Sequence, residues 1–238
     1  MPFIAARLSR IKPSPTIAVA TKARELKAAG RDVIGLGAGE PDFDTPDHIK
    51  EAAKAAMDRG DTKYTAVAGT PELRQAIVDK LKRDNNLDYT IDQISVGCGG
   101  KQNIYNALMA TLDPGDEVII PAPYWVSYPD ITLLAEGTPV IVNCPAEAGF
   151  KLTPEDLEAA ITPKTKWLIL NSPSNPTGGF NTREDAEAIA EMVMGKGIFV
   201  MTDEVYKDII YGQDHFSITS VPGMRDHTIL LDGFSKSY

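Results

Sequence analysis

The sequence predicts an α/β fold in which a mostly parallel, doubly wound sheet is sandwiched between helices. Short β-rich runs alternate along the chain with amphipathic segments of helical periodicity. The runs are almost continuously apolar, which is typical of strands whose two faces are both covered by helices. With 238 residues, the chain is long enough to bury the core of one large domain of this class.

Six apolar runs predict the strands of this sheet: residues 93–96, 117–120, 139–142, 167–170, 198–201 and 228–231. The segments between and before them predict helices over residues 17–29, 71–81, 102–110 and 182–194. The last helix opens with acidic residues, which the positive end of a helix favours. Residues 35–46 are rich in Gly and Pro, and such a segment is typical of a loop near a functional site.

Charge and cysteine content narrow the class of protein. The net charge is −9 and the basic residues form no stripe with interleaved aromatic residues, so nucleic acid is not an expected partner. Cys98 and Cys144 lie far apart without the spacing of metal ligands, which fits reduced thiols and predicts no metal site. The amino terminus lacks a secretory pattern, and no apolar stretch approaches the length of a membrane span. We therefore expect a soluble cytoplasmic protein without a membrane partner.

A glycine-rich turn, residues 96–102, joins a predicted strand to a predicted helix and contains Gly100 and Lys101. Glycines let backbone N–H groups approach an anion at the positive end of a helix, which suits a phosphate. A turn of this composition can equally be structural, and both interpretations stay open. The turn matches neither the dinucleotide-binding pattern nor the Walker pattern, which argues against a Rossmann dehydrogenase or an NTPase.

Three further loops follow predicted strands and carry polar or aromatic side chains. Asn175 lies in a loop with two prolines, at the sheet edge where ligands of open α/β folds bind, although a plain turn is the alternative. Asp203 either caps a following helix or faces the nitrogen of a bound ring, with Tyr206 one helical turn further on. Trp125 either belongs to the core or offers a flat face for ring stacking.

Lys236 follows the last predicted strand on a tight turn. A lysine amine fixed at the carboxyl ends of the strands of a sheet is the group that forms a Schiff base with pyridoxal phosphate. An exposed loop lysine is the alternative, and the clusters upstream favour the first interpretation. In that interpretation the Asp203 carboxylate keeps the ring nitrogen protonated, so that the ring can withdraw electrons from a carbanion formed next to it.

With these clusters in this order, the sequence resembles the class I (aspartate) aminotransferases, which belong to the fold-type I pyridoxal phosphate enzymes. The motifs that carry the resemblance are residues 39–43 (GEPDF), 172–178 (SPSNPTG), 203–206 (DEVY) and 235–236 (SK). The resemblance runs essentially from end to end. It implies a large cofactor-binding domain over residues 46–238 whose carboxy-terminal part is missing. An amino-terminal arm and a segment of a small domain would occupy residues 1–45.

The resemblance also implies roles for individual residues. Lys236 would form the Schiff base and move the proton between the substrate α-carbon and the cofactor, while Asp203 would pair with the ring nitrogen. The other implied cofactor contacts are Asn175 and Tyr206 at the phenolic oxygen, Trp125 on the ring, and Gly100, Lys101 and Ser235 around the phosphate. The implied substrate contacts are Gly39, Trp125 and Asn175.

The reaction implied is transfer of an amino group from L-aspartate or L-glutamate to a 2-oxo acid. Tyr64 matches a tyrosine that reaches the phosphate of the partner subunit, which implies a homodimer with shared active sites. Residues 8–16 look like those of bacterial aspartate aminotransferases that also convert prephenate to arogenate. Lys12 matches a lysine linked there to that activity, with an ordinary solvated lysine as the alternative. A cation near the site also suits a dicarboxylic substrate.

Two other functions keep the cofactor. The same electron sink serves β-elimination and decarboxylation, so a lyase or decarboxylase fits the residues too. A catalytically inactive cofactor-binding fragment fits because family members continue beyond the Schiff-base lysine to two arginines, one for the cofactor phosphate and one for the substrate α-carboxylate. We expect either part of a longer protein or a truncated product. A true 238-residue product would be poorly soluble or inactive, since a sheet cut short exposes an unpaired edge.

Overall fold

The computed structural model describes residues 3–238, which contain a five-stranded parallel sheet. The strands are β1 (Glu117–Ala122), β2 (Thr138–Asn143), β3 (Thr165–Asn171), β4 (Phe199–Asp203) and β5 (Thr228–Leu231). Their order across the sheet is β2-β1-β3-β4-β5, and every neighbouring pair is parallel. The helices are α1 (Pro15–Ala28), α2 (Asp47–Asp58), α3 (Pro71–Asn85), α4 (Gly100–Thr111), α5 (Ser127–Leu134), α6 (Pro154–Ala160) and α7 (Arg183–Val193). The predicted α/β class is confirmed.

Five of the six predicted strands are confirmed, and the strand predicted over residues 93–96 is wrong. A short 3-10 helix, Ile91–Gln93, occupies its start, and the backbone N–H of Val96 donates to the carbonyl of Ala68 instead of to a strand. The apolar pattern there has another cause, because Ile94 packs with Leu81 in a small cluster under α3. The apolar run therefore indicated correctly that Ile94 is buried. It did not indicate a strand, because strand pairing depends on a neighbour elsewhere in the chain.

The four predicted helices are confirmed, and their ends follow local capping chemistry. Thr182 precedes α7, accepts a hydrogen bond from the Asp185 N–H at 3.3 Å and donates its own N–H to the Asp185 carboxylate at 2.8 Å. This reciprocal pair satisfies two backbone donors that a helix start leaves free. The helix that begins at Gly100 starts two residues before its predicted start.

Two apolar clusters cover the two faces of the sheet. Leu168 and Leu170 of β3 pack with α6 and α7, whereas Trp167 and Ile169 pack with α4 and α5. Neighbouring residues of one strand therefore enter opposite clusters, as the two-residue period of a strand requires. This arrangement explains the continuous apolar runs: both faces of each central strand are buried.

The segment before α3 has a different character. No residue of α1 or α2 is buried, and the buried apolar residues of the described chain lie between Leu81 and Leu231. Large apolar side chains exposed in this early segment include Ile17, Val19, Ile34, Leu36, Phe43, Met57, Tyr64 and Val67. The domain boundary between residues 45 and 46 stays a prediction. Across residues 3–238, the helices lack the combination of length and apolarity that a membrane crossing requires.

Candidate active site

The carboxyl ends of four parallel strands meet at one edge of the sheet. Asn171, the last residue of β3, pairs in register with Asp203, the last residue of β4, and Asp203 pairs with Leu231 of β5. The loops that follow these strands and β1 carry most of the residues singled out in the sequence. This edge is where open α/β folds bind ligands, and it is the candidate active site.

Asp203 is the central carboxylate of this edge. The Tyr128 hydroxyl donates to its Oδ2 at 2.7 Å, and the backbone N–H of Val205 donates to its Oδ1 at 3.3 Å. Burial raises the pKa of Asp203, and these two donors act against that rise. The alternative that Asp203 caps a following helix is wrong, because residues 205–208 after β4 form turns and no helix. Tyr206 therefore does not lie one helical turn from Asp203.

Asn175 and Tyr206 lie next to each other although they follow different strands. The Asn175 side-chain amide donates to the Tyr206 hydroxyl at 3.4 Å. Burial raises the pKa of Tyr206, and the donor from Asn175 opposes the shift. The peptide bonds Ser172–Pro173 and Asn175–Pro176 on this loop are both cis, as is Ala122–Pro123 after β1.

Trp125 and Lys101 form a second part of the site. Trp125 is half-buried and meets Tyr128 edge to face, with ring centroids 5.3 Å apart. The Lys101 ammonium lies 5.0 Å from the centroid of the Trp125 indole. Gly100 is the first residue of α4, and the space beside it is open, because a Cβ atom added there would meet nothing within 4 Å. The amino terminus of α4 is therefore accessible to an anion.

Lys236 lies in a 3-10 helix, Phe234–Lys236, that directly follows the loop after β5. Its ammonium donates to the backbone carbonyl of Gly39 at 2.6 Å. This contact joins two motifs that are 197 positions apart in the sequence. Ser235, the residue before the lysine, is exposed.

Lys12 and Tyr64 are not brought to this edge by a hydrogen bond or an ion pair within residues 3–238. Both side chains are exposed, and that of Tyr64 is fully so. The arm that carries Lys12 contacts the large part of the chain at Arg10, whose guanidinium lies 3.8 Å from the Glu136 carboxylate. The roles inferred for Lys12 and Tyr64 stay predictions.

Sequence reasoning missed two residues of this edge, Tyr128 and Asn171. Tyr128 is buried at 2 % exposure and holds the Asp203 carboxylate. Asn171 bridges the Asp203 carbonyl and the Asn175 N–H, at 2.9 Å and 2.7 Å. The only sequence signal was their position in loops and strand ends already singled out, and it did not say what they would contact.

Glu204, the second residue of the DEVY motif, connects the end of β4 to residues 215–217. It is buried at 1 % exposure and its carboxylate accepts hydrogen bonds from Thr202 at 3.0 Å and Ser217 at 2.6 Å. Its other oxygen lies 2.9 Å from the Nε2 of His215. A buried carboxylate is tolerated when it is bonded in this way.

Comparisons with known proteins agree with this geometry. Residues 31–238 match the family of class I and II aminotransferases. Over the whole chain, the sequence is 60% identical to an aspartate/prephenate aminotransferase of Cereibacter sphaeroides and 57% identical to a probable one of Rhizobium leguminosarum, and it spans 60% of each relative's length.

Solved structures show the same likeness. The aspartate aminotransferase of Thermus thermophilus with maleate superposes with a TM-score of 0.96 at 45% identity, over 99% of this chain and 61% of that one. The aspartate aminotransferase of Rhizobium meliloti gives 0.95 at 48% identity, over 99% and 60%. The chain therefore belongs to the class I and II aminotransferase family, whose cofactor is pyridoxal phosphate.

Proposed function

We propose that this chain forms the cofactor-binding part of a pyridoxal phosphate-dependent aminotransferase. The reaction is the exchange of an amino group between L-aspartate or L-glutamate and a 2-oxo acid. The observation that carries the proposal is that a buried carboxylate, an amide–phenol pair and a lysine all end or follow neighbouring parallel strands at the same edge of the sheet. The relevant residues are Lys236, Asp203, Asn175 and Tyr206.

The chemistry of these groups fits the cofactor. Asp203 offers a buried carboxylate to the ring nitrogen, and Asn175 with Tyr206 offers two hydrogen-bonding groups to the phenolic oxygen. Lys236 supplies the amine for the aldehyde, and Trp125 supplies a half-buried flat face for the ring. The open start of α4 at Gly100 suits the phosphate, with Ser235 and Lys101 as further contacts.

When bound, pyridoxal phosphate supplies an electron sink for negative charge at the substrate α-carbon. The protein's task is to keep charges and protons in place around it. Asp203 holds a proton on the ring nitrogen, and for this its carboxyl must be ionised. Burial raises the pKa of Asp203 and thus opposes ionisation, whereas the hydroxyl donor of Tyr128 favours it. Lys236 moves the proton at the substrate α-carbon, which requires its amine to leave the Gly39 carbonyl.

We infer the substrate class from the names of the relatives. Both curated relatives described above carry aspartate/prephenate in their names. We propose aspartate as amino donor and prephenate as an additional acceptor that yields arogenate. Gly39, beside Lys236, would contact the substrate, as would Trp125 and Asn175. Lys12 would supply a cation for a carboxylate of the substrate.

The proposal includes a homodimer with shared active sites. The full exposure of Tyr64 supports it, because a side chain that reaches the phosphate of a partner subunit must project from its own chain. The proposed location is the cytoplasm. Among the functions that keep the cofactor, the relatives' names favour transamination over elimination or decarboxylation.

Trapping the lysine tests the proposal. The chain is incubated with pyridoxal phosphate, reduced with borohydride and analysed by intact and peptide mass spectrometry. We expect one pyridoxyl group on Lys236, no group in Lys236→Ala, and an unchanged label in Lys196→Ala, a variant at an exposed lysine on the turn after α7. A label elsewhere, or none, contradicts the assignment of Lys236.

Turnover then separates the three functions. Aspartate with 2-oxoglutarate should give glutamate and oxaloacetate with ping-pong kinetics. Release of pyruvate or ammonia instead indicates a lyase. A label on Lys236 without any turnover indicates a cofactor-binding fragment.

A further inference from the structure

We propose that Asn171 is a positioning residue that fixes Asn175 relative to Asp203. The inference rests on the proposed function, in which Asn175 would contact the phenolic oxygen of the cofactor and Asp203 its ring nitrogen. The Asn171 Nδ2 donates to the Asp203 carbonyl at 2.9 Å, and the Asn171 Oδ1 accepts from the Asn175 N–H at 2.7 Å. One carboxamide therefore joins the end of β4 to the loop that follows β3.

The position of Asn171 makes this bridge possible. As the last residue of β3, it stands in register beside Asp203 at the end of β4. The Asp203 carbonyl also accepts the Ser172 N–H at 3.2 Å, so both neighbours on the β3 side are bonded to it. The main chain at Asp203 is thus fixed by donors from β3, while its carboxylate is held by Tyr128 on α5.

The bridge continues from Asn175 to Tyr206. The Asn175 backbone is held by Asn171, and the Asn175 side chain donates to the Tyr206 hydroxyl at 3.4 Å. A continuous series of hydrogen bonds thus links Tyr206, Asn175, Asn171 and the backbone of Asp203. Asn171 is suited to its place because its carboxamide offers a donor and an acceptor on two separate atoms. Aspartate lacks the donor and leucine lacks both.

The first test needs no cofactor. Hydrogen exchange of the backbone N–H of Asn175 is compared in the wild-type chain, in Asn171→Leu and in Asn143→Leu. Asn143 is the matched control, since it also ends a strand, β2, but is exposed. We expect exchange at Asn175 to accelerate by about tenfold in Asn171→Leu and to stay unchanged in the control. Asn171→Asp keeps the acceptor and should retain most of the protection.

The second test is a double-mutant cycle on the affinity for pyridoxal phosphate. Asn171→Leu should weaken binding by about threefold to tenfold, the range expected for a lost hydrogen bond. If Asn171 acts through Asn175, the same change in an Asn175→Ala background should cost less than about twofold. The pH at which the visible absorbance of the bound cofactor changes should also shift in Asn171→Leu. If Asn171 only supported the fold, this pH would stay unchanged.

The outcomes separate the two proposals. Unchanged amide exchange in Asn171→Leu overturns the positioning role, whatever the cofactor does. Faster exchange with additive losses and an unshifted absorbance profile also overturns it, since Asn171 would then only support the fold. A wild-type chain that binds no cofactor overturns the proposed function, while the exchange measurement still decides whether Asn171 positions Asn175.

Discussion

The hydroxyl of Tyr128 donates a hydrogen bond to the Oδ2 of Asp203 at 2.7 Å, and Tyr128 itself is only 2 % exposed. The two groups are 75 positions apart in the sequence and meet because β1 and β4 end at the same edge of the sheet. Burial and the Asp203 carboxylate together raise the pKa of Tyr128 well above its usual value, so the hydroxyl stays a donor at neutral pH. Asp203 therefore has a permanent partner that favours its ionised form.

Replacing Tyr128 by Phe should weaken cofactor binding. Phenylalanine keeps the ring that meets Trp125 but removes the donor, so the pKa of Asp203 rises further and its proposed contact with the ring nitrogen should weaken. We expect a loss of roughly tenfold in affinity for pyridoxal phosphate, measured by titration of absorbance, since hydrogen bonds to charged groups are the stronger class. Tyr89→Phe is the control, because the buried Tyr89 hydroxyl has no partner among the described residues. Equal losses in both variants would contradict the role of Tyr128.

The raised pKa of Asp203 makes the stability of the cofactor-free chain depend on pH. A carboxyl whose folded pKa lies above its unfolded pKa retains more protons in the folded state, so stability falls as the pH rises from about the usual value of 3.8 to the folded pKa. Above this window the cost is constant. Asp203→Asn removes it, and we expect the variant to melt at a higher temperature than the wild type at pH 7. The difference should shrink as the pH falls below the window, and melting curves across pH measure it.

The contribution of Thr182, the capping residue of α7, should be measurable as a difference in the free energy of unfolding. Thr182→Ala removes the acceptor for the Asp185 N–H and should lower the free energy of unfolding by about 1 kcal/mol in urea denaturation. Ser14→Ala removes the analogous cap of α1, whose residues are all outside the core. A smaller change is expected there, because α1 can fray without disturbing buried contacts. Equal effects would mean that α1 unfolds together with the sheet.

The central strand β3 should be far more sensitive than the exposed early segment. Leu168 is fully buried between the sheet and α7, so Leu168→Ala should cost about 2–5 kcal/mol of unfolding free energy. Leu36 is 91% exposed, and Leu36→Ala should change the same quantity by less than about 0.5 kcal/mol. A large loss for Leu36→Ala would show that a second surface covers that residue in solution.

Sequence patterns predicted the sheet because burial on both faces leaves a local signature. Leu168 and Ile169 are adjacent apolar residues that enter opposite clusters, and such pairs produce the continuous runs that predict strands. The same signature failed at Ile94, which is buried under α3 without joining a strand. Apolarity is encoded locally, whereas the hydrogen-bonding partner of a strand lies elsewhere in the chain.

In the candidate site, too, the sequence predicted some features and only the tertiary structure decided the others. By itself the sequence determined the fold class, the five confirmed strands, and which residue types end or follow them, including Asp203, Asn175 and Lys236. Only the tertiary structure decided that Lys236 meets Gly39, that Tyr128 holds Asp203 and that Asn171 joins Asp203 to Asn175. Strand and turn signals depend on neighbours within a few positions. Contacts across 32 to 197 positions depend on the order and register of the strands, which no local pattern specifies.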